Sequence, residues 1–200
     1  MIYLGKGGRI PYLSREKIEE KTEEVLEKCW GGDFPIDVEM ICDNLEIGIL
    51  PIPGLSKTFR VDAFISADFK SIYVDECEFE KNSNRYRFSV AHELGHYILH
   101  QKYCPSSAKD LKTWFEVFNK FTNNYAEFQA NHFAGSLLVP ELELIRVLND
   151  EFDGSFIKNY WYASINEKSM VLMRLRKYFS VSDEVIARRI RDAFPGVGEK

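Results

Sequence analysis

The sequence predicts an α+β protein: a small front β-sheet packed on a mostly helical body. Two observations carry this. The runs that read as strands, rich in β-branched and aromatic residues, lie between Ile47 and Val74. From Asn84 onward the apolar residues recur at helical spacing instead. The 200 residues, 45% of them hydrophobic, with 15 Phe, 10 Tyr and 3 Trp, suffice for one buried core or one core plus a small appendage.

The elements follow in order. Ser14 is placed to cap a helix whose buried face is Ile18, Thr22, Val25, Leu26 and Cys29, ended by Gly31-Gly32. A short helix after Pro35 puts Val38, Ile41, Cys42 and Leu45 on one side. Ile47 to Ile52 reads as a strand ended by Pro51 and Pro53. Val61–Ser66 and Ser71–Val74 read as a hairpin around residues 67–70. A long helix runs from about Asn84 to Tyr103 and stops at Pro105. Trp114, Phe115, Phe118 and Phe121 mark another, and Tyr125 to Val139 an alanine- and phenylalanine-rich one ended by Pro140. Glu141–Asn149 continues as a short helix, and Asp153–Ser164 supports no assignment. Two helices, Lys168–Phe179 and Asp183–Phe194, are joined by Ser180-Val181-Ser182, with Ser182 as N-cap.

A formal net charge of −5 argues against a chain that coats nucleic acid. The four cysteines (Cys29, Cys42, Cys77, Cys104) form no CxxC pair and read as reduced, mostly buried thiols of a cytoplasmic protein. Met1 to Ile10 has no long apolar run that would mark a signal peptide, and no stretch reaches membrane-spanning length.

The chemistry concentrates in RFSVAHELGHYILH, Arg87 to His100. His92 and His96 lie four apart, one turn above each other on the same helix face, so two imidazoles can bind one metal ion. Glu93 is rotated about 100° from His92. It therefore stands beside the metal, placed to take a proton from water activated there. Zinc suits this work: it has no redox chemistry, and it brings the pKa of its water down to roughly 7. His100 extends the series, but it lies about 12 Å along the axis from His92, too far to share the ion; it reads as a capping or packing histidine. Val90, Ala91, Leu94, Ile98 and Leu99 supply a buried opposite face. The bland alternative is a structural helix that happens to carry histidines.

A catalytic zinc needs three protein ligands and an open position. A third histidine six residues after His96, with a glycine between, is absent: Leu99 and Lys102 occupy those positions. The remaining scheme takes a Glu from a second helix. In YAEFQANHFAGSLLVP, Ala126, Ala130 and Ala134 permit close helix approach, and Glu127 shares a face with Asn131. Glu127 is then the candidate ligand, against a merely solvated glutamate. His132 is the rival ligand and points away from that face.

RFSVAHELGHYILH followed by AEFQANHFAGSLLVP resembles the ImmA/IrrE family of metallo-endopeptidases. The family's signature is an Arg-Phe-x-x-Ala-His-Glu-x-x-His-x-x-x-His block, then Glu-x-x-Ala-Asn-x-Phe-Ala-x-x-Leu-Leu-x-Pro. The two blocks are specific; the span from Glu16 to Phe194 is compatible. The resemblance implies a zincin-like core with zinc held by His92, His96 and Glu127, and Glu93 as general base. It also implies an anti-repressor that cleaves a helix-turn-helix transcriptional repressor, switching on stress or mobile-element genes. Gln129 departs from a glutamate common in the family. Lys102–Asn124 is longer and more aromatic than in many relatives, as a substrate-facing lid or a segment that blocks the cleft. Tyr97, Asn131 and His132 are near the motifs in sequence, but none is assigned to the oxyanion.

The division this suggests is a zincin-like metallopeptidase domain over 1–150 and a C-terminal helical subdomain over 151–200, helix-turn-helix-like in its helix pair. That pair carries Arg174, Arg176, Lys177, Arg188, Arg189 and Arg191 against Asp183 and Glu184. DNA contact, docking of a protein substrate, and simple charge matching to the helix macrodipole all account for this pattern, with docking favoured over direct nucleic-acid contact. The rival to a peptidase is a regulatory module that binds a repressor or DNA and uses zinc as scaffold. Oligomeric state is not legible in the sequence.

Overall fold

The computed structural model describes residues 10–81, 83–104, 110–122, 124–151 and 163–194. The chain order is α1 (Arg15–Cys29), α2 (Val38–Asn44), β1 (Gly48–Ile52), α3 (Leu55–Phe59), β2 (Ala63–Ile65), β3 (Ser71–Asp75), α4 (Glu76–Lys81), α5 (Asn84–His100), α6 (Leu111–Phe121), α7 (Asn124–Leu138), α8 (Glu141–Glu151), α9 (Ile165–Phe179) and α10 (Asp183–Ala193). A three-residue 3₁₀ turn, Gln101–Tyr103, finishes α5. The architecture is α+β, as the sequence predicts.

The sheet has the order β1-β3-β2, with β1 parallel and β2 antiparallel to β3. The β2–β3 hairpin is the predicted one, with β2 shorter at both ends and β3 one residue longer, to Asp75. Pro51 lies inside β1 rather than ending it. The reason is that β1 is an edge strand. Gly48 N donates to Lys70 O, so the alternate position 51 faces away from β3 and its missing N–H costs the ladder nothing. The short helices α3 and α4 carry too few turns to show a period, and the sequence reading passes over them.

Helix starts follow their caps. Ser14 accepts from Lys17 N, Ser83 from Tyr86 N, and Ser182 from Val185 N. The helix after Pro35 starts only at Val38, because Asp37 accepts from the amides of Glu39 and Met40. Likewise α9 begins at Ile165 rather than Lys168, fixed by a capping box of Ser164 and Glu167. Most of the unassigned stretch 153–164 lies outside the described residues.

The centre of the molecule is the α5–α7 pair. Ala126, Ala130 and Ala134 are fully buried, as the close-approach reading requires. The partner feature is Gly95, inside the histidine motif. A Cβ there would stand 3.0 Å from Ala130 Cα and 3.1 Å from its carbonyl oxygen. Only glycine lets the two backbones come this near.

Two buried arginines attach the C-terminal helices to this body. Arg87 of α5 donates to the carbonyls of Phe179, Ser180 and Ile36. Arg189 of α10, 1% exposed, donates to Val139 O at 2.9 Å and pairs with Glu19 of α1 at 2.6 Å. One member of the basic cluster is thus consumed inside the protein, while α10 keeps acids at its start and Arg191 at its end. All four cysteines are free; Cys29 and Cys42 are buried but Cys77 is exposed. Among the described residues no helix is long and apolar enough to cross a membrane.

Candidate metal centre

The i, i+4 spacing on α5 stacks His92 and His96 on one face, and the α5–α7 approach brings Glu127 over them. The two Nε2 atoms are 3.1 Å apart. Glu127 Oε2 lies 3.3 Å from His92 Nε2, and its Oε1 lies 3.5 Å from His96 Nε2. Among the described residues this is the group of His, Cys, Asp and Glu side chains that could hold a metal ion, with one ligand atom from each within 4.8 Å of the others.

The far side of each imidazole is occupied. His92 Nδ1 is 3.2 Å from Asn131 Oδ1, and His96 Nδ1 is 2.9 Å from His100 Nδ1. An amide oxygen can only accept, so His92 donates from Nδ1 and its Nε2 lone pair points inward. Two ring nitrogens and a carboxylate thus converge on one point, an arrangement that a positive charge between them stabilises. Donors around a tetrahedral ion at zinc–nitrogen distances stand roughly 3.3 Å apart, close to the spacings found. The residues fit a metal of that kind.

Electrostatics follow the crowding. Burial pushes His96 well below its ordinary value, reinforced by His92 and His100. Burial would lower His92 too, but the Glu127 and Glu93 carboxylates beside it raise it. Glu127 is lowered because its bonds and proximity to His92, with a hydrogen bond to Thr122, outweigh its desolvation.

Glu93, 5% exposed, sits beside the cluster as its helical offset predicts. Burial pushes its carboxyl up to about 7, with His92 opposing and Glu127 adding to the rise. Its Oε2 accepts a 2.9 Å hydrogen bond from the amide of Ile65 on β2. A cleft of about 270 Å³ opens over these groups, lined by Val61, Ala63, Phe64, Phe115, Phe118 and Asn119 besides the site residues. The segment that reads as lid or block therefore supplies one wall, α6. Trp114 anchors that helix by donating to Ile65 O at 2.6 Å, and Phe118 meets the His96 ring edge-on at 5.1 Å. A second cavity of about 420 Å³ continues the cleft toward α10, sharing Asp62, Phe88 and Ser89.

Sequence reasoning places all four site residues in one spot, and the structure brings them together there. The rival His132 is turned away into a separate buried cluster, 3.1 Å from Glu19 and 3.7 Å from Asp192. Asn131, close to the motif but without a role in the sequence reading, is the partner of His92. His100 is not a ligand, as expected, and of the capping and packing readings the structure takes packing: fully buried, it is the partner of His96, and Gln129 holds it in turn at 2.9 Å. The contribution of Ile65 had no sequence signal, since a backbone amide can come from any residue.

No curated protein matches the chain. The model of the IrrE N-terminal-like domain, a peptidase family, matches residues 42–191. That span runs from α2 into α10 and includes both helices of the metal centre. On that match, and with a mostly helical α+β fold around a His-His-Glu cluster, the chain belongs to the IrrE N-terminal-like family.

Proposed function

We propose that this protein is a cytoplasmic zinc-dependent endopeptidase. His92, His96 and Glu127 are its zinc ligands and Glu93 its general base. The observation that carries this is the convergence of two histidine Nε2 atoms and one carboxylate beside a buried, hydrogen-bonded second carboxylate. Bound zinc would acidify water and polarise a peptide carbonyl. Glu93 accepts the proton of the attacking water and delivers it to the departing amine. Ile65 N–H keeps one carboxylate oxygen fixed, leaving the other for the proton. Phe115 and Phe118 narrow the cleft and limit bulk water around it.

Its substrate is a helix-turn-helix transcriptional repressor, and its role is that of an anti-repressor inducing stress or mobile-element genes. Family resemblance supports this part of the reading. The test is co-expression with a helix-turn-helix protein encoded beside it. The wild type should cut that protein under zinc-replete conditions. Glu93→Gln should retain zinc and slow cleavage by about 10²–10⁴-fold, the usual worth of general acid–base catalysis. An intact repressor with the zinc-loaded wild type would overturn the substrate assignment; undiminished cutting by Glu93→Gln would overturn the mechanism.

A further inference from the structure

The carbonyl of Pro11 fixes the proton positions behind His96. A carbonyl can only accept, and Gln129 Nε2 lies 3.0 Å from Pro11 O. The amide nitrogen of Gln129 must therefore face Pro11, and its oxygen must face His100, whose Nε2 is 2.9 Å away. His100 then carries its hydrogen on Nε2. A neutral imidazole so protonated has a bare Nδ1. That nitrogen stands 2.9 Å from His96 Nδ1, and a contact this short needs one proton, which only His96 can supply. His96 is thereby held with hydrogen on Nδ1 and a lone pair on Nε2. That lone pair faces His92 and Glu127.

His100 and Gln129 are each 0% exposed, so water cannot replace either partner. The relay also differs from the usual carboxylate behind a metal-binding histidine. Being neutral, it sets the tautomer without adding a third negative charge next to Glu93 and Glu127. His92, nearer the cleft mouth, has only the single acceptor Asn131.

We propose that His100 and Gln129 are positioning residues which lock His96 in the tautomer that presents Nε2 to the metal, with the Pro11 carbonyl setting the direction of the chain. This rests on the metal-centre reading above, and its tests separate the two. Long-range nitrogen NMR of the histidine rings reads the tautomers directly. His100 should be neutral with hydrogen on Nε2, and His96 should carry hydrogen on Nδ1, in metal-free and zinc-loaded protein alike. Hydrogen on His100 Nδ1 at neutral pH overturns the relay.

Competition for zinc against a chromogenic chelator reads the consequence. His100→Phe and Gln129→Leu should each weaken zinc binding by about 10–100-fold, the usual cost of losing an outer partner. His100→Asn, whose side-chain oxygen falls near the lost Nδ1, should restore most of it. Unchanged affinity in His100→Phe and Gln129→Leu overturns the proposal. Should His100→Phe not fold, Gln129→Leu, His100→Asn and the wild-type spectrum still decide. A wild type that binds no zinc defeats the metal-centre reading, while its ring tautomers still test the relay.

Discussion

Ile65 N–H donates to Glu93 Oε2 at 2.9 Å, from the outer edge of β2. The same residue's carbonyl accepts from Trp114 of α6 at 2.6 Å. The peptide edge that orients the proposed base thus also holds the wall of the cleft. Its amide is free for this because Ser66 and Asp62, on either side, make the ladder bonds to β3. Ile65→Pro removes the bond to Glu93 without removing a ladder bond. Zinc content should stay that of the wild type, while cleavage falls about 10–100-fold, the worth of one hydrogen bond to a charged group. Unchanged cleavage would show that Glu93 is oriented by something else.

Gly95→Ala tests the close approach of α5 and α7. Alanine is the better helix former by about 1 kcal/mol, so an isolated helix would gain. Here the new Cβ would meet the Ala130 backbone at 3.0 Å. Net destabilisation of about 1–3 kcal/mol is expected in urea unfolding, as for other overpacked cores. Zinc affinity should fall as well, since Glu127 rides on the helix that is displaced. A stabilised variant would contradict the packing.

Acid stability should depend on Glu19. Burial alone would raise its carboxyl, but contacts with His132, Arg189 and Ser136 hold it at about 2, below the ordinary 4.5. Asp192, tied to Arg15, closes the cluster from α10. The folded-state value is depressed, so this stabilisation is complete above about 4.5 and is lost as pH falls toward about 2. Its size is about 3 kcal/mol. Denaturant midpoints for the wild type should drop through that window, and those of Glu19→Gln should be lower at neutral pH and flatter with acid.

Arg87→Met removes donors from the carbonyls of Ile36, Phe179 and Ser180 while keeping most of the side-chain volume. Buried carbonyls left unpaired cost about 1–3 kcal/mol each. Loss of stability by several kcal/mol is expected, with hydrogen exchange fastest at the end of α9. Loss confined to the active site would instead assign Arg87 a role in the cleft.

The sequence by itself determined the α+β class, most helices and the placing of His92, Glu93 and His96 on one helix, with Glu127 as a candidate that the packing of α7 on α5 had to bring to them. These are local matters: the 3.6-residue period and the caps belong to neighbouring residues, and an i, i+4 pair is set by one helix. Tertiary structure decided everything that needed a partner distant in the chain. Pro51 could enter β1 only because that strand is an edge. His100 looked like a helix end until Gln129 and Pro11 gave its ring a direction. Arg189 looked like part of a basic surface until Glu19, 170 residues away, buried it. Each side chain carries its chemistry in the sequence, but hydrogen bonds and burial are properties of pairs, and packing chooses the pairs.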